Sequence, residues 1–404
     1  MKKLTPDSRG MIVALALFTS IGALATDIYL PSLPVLVRDF SATTGHVQLT
    51  LSVFMFGFAI GQLFYGPLSD RFGRKPVMMG GLVLYTVASV ACLFAPSIDG
   101  LIFYRGVQGF GACAGPVIAR AIARDLHSGE RAAWLLSSMG TVMGLVPAFA
   151  PIIGGYLQLW FGWHSSFIFL AVAGLLAMAL LWFRMDESHQ HPDANALRPG
   201  HMLRNFSALL RHRIFLGYVA GGCFAFSGMF AYISGSSFVF QQHFGVGQQV
   251  YGFYFALGCV GYMTGTFTGS RVTMRLGISR MIWFGGILAA SAGIVMAALA
   301  LAQVNHPMAM VGPHMFFLAA AGIVLPQSIA GALTPFPHMA GAASSLFGSA
   351  QMISGAIAGI FTGHNVGTSQ LPLALTICLF GILTLIAAAF TTQAGRRAPF
   401  SRQT

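Results

Sequence analysis

Charge is scarce in this chain. Of 404 residues only 8% are Asp, Glu, Lys or Arg, against about 25% in an ordinary soluble domain, which is too little to clothe a water-facing surface. Acidic residues are scarcer still: ten in all, none beyond Asp193, with Glu130 and Glu187 the only glutamates. Neither glutamate follows a histidine, which excludes the H-E-x-x-H pattern of zinc hydrolases. Cysteine is limited to Cys92, Cys113, Cys223, Cys259 and Cys378, with no C-x-x-C pair. Neither a disulfide framework nor a zinc cluster is supported, and all five sit in apolar stretches as small buried hydrophobes do. G-x-S-x-G is absent. GFGACA, Gly109 to Ala114, formally fits a dinucleotide pattern, but it lies inside an apolar run with no preceding strand and carries no such meaning. His189 and His191 read as solvated loop residues. No enzyme class finds its residues here, and no metal or cofactor is expected.

What the chain has instead is apolar length. Hydrophobic residues make up 56% of it, and runs of the roughly 20 residues that a membrane-crossing helix needs recur throughout. Twelve are predicted, at 11–36, 47–68, 76–95, 98–122, 132–157, 164–184, 213–240, 250–273, 279–302, 308–331, 340–364 and 372–392. Backbone groups in lipid must be satisfied within the protein, which leaves helices or closed barrels, and these runs are far too long for barrel strands. The expected fold class is an all-α polytopic membrane protein. A net charge of +12 would suit a nucleic-acid partner, but its placement points elsewhere. With the loops numbered alternately, one side holds Lys2, Lys3, Arg9, Arg71, Arg74, Lys75, Arg124, Arg131, Arg184, Arg198, Arg204, Arg211, Arg213, Arg275, Arg280, Arg396, Arg397 and Arg402. The other has Arg38 alone. That bias places the basic side inside, and it predicts both termini cytoplasmic and no nucleic-acid partner.

Met1-Lys2-Lys3, an apolar core and Ala23-Leu24-Ala25 carry the three parts of a secretory leader. The apolar run continues past that site to about Val37, so the segment is expected to be retained as the first span. The longest polar segment, 185–213, divides six spans from six, and Pro192, Pro199 and Gly200 mark it as a linker. The expected domains are a bundle over 1–184, a linker over 185–212, and a second bundle with a short tail over 213–404. An even split suggests internal duplication. GPLSDRFGRKP after the second span and SRVTMRLGISR after the eighth echo one another, keeping Arg71/Arg275 and Gly73/Gly277 at equal spacing. Small residues four apart, which let membrane helices approach closely, occur at Gly57 and Gly61, Gly140 and Gly144, Gly261, Gly265 and Gly269, and Gly355, Gly359 and Gly363.

Two charges fall deep within the apolar runs, Asp27 and Arg105. Each costs about 2.5–3.5 kcal/mol at the bilayer centre on insertion scales and asks for a functional or pairing explanation. From helix rise, Arg105 lies about 10 Å and Asp27 about 15 Å from the same face, a shared level. One reading is a static ion pair fixing the first helix against the fourth. The other makes Asp27 a proton carrier: a carboxyl caught between burial and the pull of a cation exchanges its proton. Pro31 and Pro34 add helix irregularity of the kind that lines a cavity or packs on protein. His314, in the tenth span, is the next titratable group.

These residues carry a resemblance. GPLSDRFGRKP, Gly66 to Pro76, resembles the signature loop between helices two and three of the major facilitator superfamily. LIFYRGVQGFGA, Leu101 to Ala112, is similar to the helix-four motif whose arginine, here Arg105, is implicated in proton coupling. PAFAPIIGG, with Pro147, Pro151, Gly154 and Gly155, resembles the helix-five antiporter motif, with Ala150 where many members have glycine. TDIYLPSLP, Thr26 to Pro34, and FPHMAGAASSLFG, Phe336 to Gly348, are similar to the bicyclomycin/chloramphenicol-resistance branch of drug:proton antiporters. The resemblance implies two pseudo-symmetric six-helix bundles that alternate access, with helices two and eleven, and five and eight, meeting between the halves. It also implies a cytoplasmic latch over Gly66, Asp70, Arg71, Gly73 and Arg74. There Asp70 caps a helix of the other half, while Arg71 and Arg74 pair near Asp125. A purely topological basic loop is the alternative.

Aromatic walls suit amphipathic ligands of varied shape. Phe226, Phe230 and Tyr232 in the seventh span are candidates, as are Tyr29, Phe58 and Gln62 on the first two, although phenylalanine in a membrane helix as often packs or faces lipid. The expected function is a proton-coupled efflux antiporter for small antibiotics, acting as a monomer with drug, protons and the bilayer as partners. Export of a metabolite, such as a small peptide or amino acid derivative, is the nearest alternative. A membrane enzyme or sensor would need a catalytic pair that the sequence lacks.

Overall fold

The computed structural model describes residues 3–6, 8–127, 129–189, 199–336, 339–365 and 369–397. His191, Pro192, Asp193, Arg198 and Arg402 lie outside them, as do Lys2 and the Pro337-His338 pair of the late motif. Every described element is helical. Ten helices among the described residues are long and apolar enough to cross a membrane. Large apolar side chains such as Trp160, Leu176, Phe183, Phe284 and Ile386 stand exposed on them, the signature of a lipid-facing surface.

The first predicted span is three pieces rather than one helix: α1 (Arg9–Asp27), a single 3₁₀ turn (Leu30–Ser32) and α2 (Leu33–Asp39). Pro31 has no N–H to offer the carbonyl of Asp27 four residues back, and Pro34 none for Leu30, so the ladder lapses twice in succession. The Ser8 hydroxyl caps α1 by accepting from the Met11 amide. Next come α3 (Thr44–Phe72), capped by Thr43, and α4 (Arg74–Leu93). The fourth predicted span is split by a single residue, Cys113, into α5 (Ile98–Ala112) and α6 (Ala114–Leu126). Pro116 withholds a donor from the Ala112 carbonyl, which accounts for the break. The fifth and sixth spans are α7 (Gly129–Phe161) and α8 (His164–Arg184).

Part of the expected linker is itself helical, as α9 (Pro199–Leu210). The seventh span is α10 (Arg213–Phe238) running into a π turn (Val239–His243). The eighth, α11 (Gln248–Leu276), is a 29-residue helix diluted by glycine and threonine. Then follow α12 (Ile278–Leu301), α13 (Pro307–Leu333), α14 (Ala340–Asn365) and α15 (Leu371–Arg397). The sequence echo has a backbone counterpart. Gly73 links α3 to α4 at φ +94° and Gly277 links α11 to α12 at φ +80°, the left-handed region that glycine enters without penalty. Each donates its amide to the residue four back, Ser69 or Thr273.

Two compact units form. The first gathers the described residues of Met1–Arg198 with Ile233–Ala256 and Gly359–Thr368. The second gathers those of Pro199–Tyr232, Leu257–Ala358 and Ser369–Thr404. The glycine spacing serves contacts inside each unit. In the first, a Cβ on Gly57 would stand 2.1 Å from the Gly106 carbonyl of α5, and in the second one on Gly261 would stand 2.0 Å from the Met315 carbonyl of α13. Spans two and eight therefore press these glycines on spans four and ten, while a Cβ on Gly363 of span eleven would meet Gln48 of span two at 2.0 Å and one on Gly252 of span eight would meet Ile152 of span five at 2.6 Å, the pairs that the resemblance implies. Gly140 and Gly144 meet nothing within 4 Å.

Candidate functional site

Asp27 is the last residue of α1 and is only 3% exposed. Its Oδ1 accepts from the Thr26 hydroxyl at 3.0 Å. No ion pair with Arg105 forms among the described residues, where the salt bridges are Lys3–Asp186, His46–Asp99, Arg74–Asp70 and Arg74–Asp125. The static pair weighed from sequence is not what holds either charge.

Arg105, on α5, is 0% exposed and sits in an aromatic cage. Its guanidinium carbon lies 4.4 Å from the ring centre of Phe54, 4.7 Å from Tyr29 and 5.9 Å from Phe167, contacts that ring quadrupoles make favourable for a cation. One of its nitrogens donates to the Gln108 carbonyl oxygen, and Gln108 in turn donates to the Ser89 hydroxyl at 2.7 Å. Nε and Nη2 have no partner. A buried guanidinium with two idle donors is costly and is ready for any acceptor that arrives. Tyr29 joins Arg105 to α3, its hydroxyl sharing a hydrogen bond with Thr50. The sequence placed Tyr29 near this site but gave no sign of Phe54, Phe167, Thr50 or Ser89; Gln108, three residues after Arg105 on one helix face, was the readable member.

The antiporter motif meets the break beside Asp27. Pro147 and Pro151 lie inside α7, and a Cβ on Gly154 would fall 1.7 Å from the Ile28 carbonyl. Gly155 approaches the Gln248 carbonyl in the same way, at 2.6 Å. Phe58 rests on Gly22 of α1, and Gln62, 7% exposed, keeps its side-chain oxygen unpartnered. In the second unit Phe226 and Phe230 stack with centroids 6.1 Å apart, and Tyr232 stacks on His314 at 3.5 Å. His314 is buried, with Nδ1 unpartnered. Arg120, which no sequence motif marks out, stands exposed on α6 with its Nε donating to the Pro116 carbonyl at 2.8 Å.

The latch residues cluster at the other end of the first unit. Arg74, 6% exposed, pairs with Asp70 one turn back and donates from Nε to Asp125 at 2.8 Å and from Nη1 to Ser69 at 2.8 Å. The Gly66 carbonyl accepts from the Ser69 hydroxyl. Arg71 departs from expectation: it lies over the Phe72 ring at 5.2 Å while Arg74 alone reaches Asp125. Two contributors were illegible in the sequence. Glu187 accepts from the Arg74 and Lys75 amides at 3.0 and 2.9 Å, a carboxylate on a helix N-terminus. His189 meets the Asp70 carbonyl at 3.0 Å.

Known proteins resemble this arrangement in sequence and fold. The Major Facilitator Superfamily profile matches residues 15–359. A bicyclomycin resistance protein homolog of Haemophilus influenzae is 32% identical over 383 residues, 95% of this chain and 96% of that one. Multidrug resistance protein D of Escherichia coli is 28% identical, covering 93% and 94%. The chloramphenicol resistance protein of Pseudomonas aeruginosa is 29% identical, covering 83% and 79%. Among solved structures, the xylose transporter XylE of E. coli in a partially occluded inward-open conformation superposes with a TM-score of 0.73 at 15% identity, over 95% of this chain and 97% of that one. The helical fold, the loop at Gly66–Pro76 and the match along nearly the whole length agree: the chain is a multi-pass membrane protein that belongs to the Major Facilitator Superfamily, beside its bicyclomycin- and chloramphenicol-resistance proteins.

Proposed function

We propose that this chain exports small amphipathic antibiotics of the chloramphenicol or bicyclomycin kind across the bacterial inner membrane in exchange for protons. The observation that carries the reading is Asp27, a buried carboxyl at a helix break that forms no ion pair among the described residues. Its charge is not tied up in a structural bridge, so it is free to alternate between protonated and ionised forms, the property an intramembrane acid is retained for. Arg105 is the responding group. Its two idle donors await a carboxylate or a substrate oxygen. In the first unit, Phe58 and Gln62 offer the drug an apolar wall and a polar atom. In the second, the stacked Phe226 and Phe230 and the neighbouring Tyr232 are the aromatic candidates. The Asp70–Arg74–Asp125 cluster, capped by Glu187, is the cytoplasmic latch. Both termini are cytoplasmic and the protein works as a monomer.

The test uses inverted vesicles holding a pH gradient read by a fluorescent dye. Chloramphenicol and bicyclomycin dissipate the gradient with wild type and fail to do so with Asp27→Asn. Equal dissipation by both would move coupling to another group, with His314 next to examine. No response from wild type would favour a metabolite over an antibiotic.

A further inference from the structure

The break after Asp27 leaves polar backbone behind. Pro34 cannot donate to the Leu30 carbonyl, which accepts the Leu33 amide of the 3₁₀ turn at Leu30–Ser32 instead and, like the neighbouring Pro31 carbonyl, has a lone pair to spare. Buried carbonyls need partners, and here both find them about two hundred residues away. The Ser237 hydroxyl, 0% exposed, donates to the Leu30 carbonyl at 2.6 Å. Gln241 donates to the Pro31 carbonyl at 3.0 Å and to the Ser237 oxygen at 2.9 Å. One turn deeper, the wholly buried Gln48 of α3 donates to the Ser234 carbonyl at 2.7 Å. Gln241 lies within the π turn, where the Phe244 amide reaches back five residues to Val239. Such turns shift the register of the downstream chain and recur at functional sites.

We propose that Ser237 and Gln241, supported by Gln48, are the positioning residues of the external gate: they hold it shut by gripping the Leu30 and Pro31 carbonyls beside the Asp27 break. All these groups lie at the end of the first unit that carries Asp39 and Asp99, away from Arg74. That this end faces outward rests on the topology proposed above. The grip is neutral and made of few bonds, each of modest net value because water replaces it on opening, so the gate opens reversibly. It also couples the gate to the site, since any rearrangement of the chain at Asp27 moves Leu30 and Pro31 within the same turn.

Ser234→Cys supplies a reporter, because the Ser234 side chain is buried and its hydroxyl has no partner to lose. Right-side-out membranes would be treated with a membrane-impermeant maleimide, without drug or gradient, using the same protein without the reporter as blank. Adding Ser237→Ala and Gln241→Ala is expected to speed labelling about tenfold, the scale of losing one to two buried hydrogen bonds. Ser237→Thr, which keeps the hydroxyl, is expected to label near the starting rate. A rate unchanged by the double substitution would overturn the proposal, as would equal acceleration by Ser237→Thr. Acceleration seen only in inverted vesicles would overturn the outward assignment. If the double variant does not accumulate, Gln241→Ala alone is read, with about a threefold rise expected because only one of the two carbonyl grips is lost and no rise counting against the gate. Failure of drug-driven proton exchange in wild type would sink the exporter reading and leave the labelling result standing.

Discussion

At the scale of single residues, this protein depends on charge without a partner and on glycine where backbones touch. Arg105 is held in an aromatic cage, where Tyr29 and Phe54 offer ring faces in place of a carboxylate. Lysine keeps the charge but not the flat fork that stacks on both rings. Arg105→Lys is therefore expected to accumulate normally and to lower drug-driven proton exchange at least about tenfold, read in the vesicle assay. Gly154 gives the opposite kind of prediction. A methyl group there would fall 1.7 Å from the Ile28 carbonyl, so α7 must retreat from the break. Gly154→Ala is expected to cost about 1–3 kcal/mol, as overpacking does, and to lower both the unfolding temperature in detergent and the exchange rate. The sequence announced both residues, Arg105 through its cost in a membrane and Gly154 through its motif. The partner of Gly154, a carbonyl one residue after Asp27, depends on two helices more than a hundred residues apart.

Secondary elements owe their ends to local chemistry and their interruptions to proline. Gly73 ends α3 and begins α4 at a positive φ, and Glu187 then caps α4 from beyond α8. Replacing Glu187 with alanine is expected to cost about 0.5–2 kcal/mol, the range for a lost helix cap, measurable as a lower unfolding temperature. Arg74→Ala would take the cation from Asp125 and Asp70 together, leaving Asp125 the Ser188 hydroxyl. Both acids retain some contact with water, so the cost is expected at about 1–3 kcal/mol rather than that of a fully buried pair, and Asp125→Asn should recover part of it. The twelve apolar runs cover all ten described helices that are long and apolar enough to cross a membrane, because length and composition are local properties. They did not show that the first and fourth would be broken. Pro31, Pro34 and Pro116 were visible, yet a proline in a membrane helix kinks or breaks it according to what neighbours can satisfy the freed carbonyls. Here Ser237 and Gln241 do so, from a distant part of the chain.

For the molecule as a whole, the distribution of basic residues predicts an orientation that is open to direct test. A fluorescent protein fused after Thr404 is expected to fluoresce, and an alkaline phosphatase fused at Ser41, beyond α2, to be active; the reverse pattern would invert the topology. Duplication was legible as a faint echo in two loops. Gly73 and Gly277 give it substance, since both occupy the left-handed region at equivalent joints. The division into compact units was not legible: Ile233–Ala256 and Gly359–Thr368 lie after the boundary in sequence yet pack with the residues before it. By itself the sequence determined that the chain is a helical membrane protein, which way its charge bias points, and which acid and which arginine fall deep within apolar runs. Each follows from transfer energies summed over neighbouring residues. Only the tertiary structure decided that Asp27 and Arg105 stand unpaired, that the glycine rows press on spans four and ten, and that side chains near residue 240 hold carbonyls near residue 30. Those outcomes turn on contacts of a few ångströms between distant segments, and composition carries no record of them.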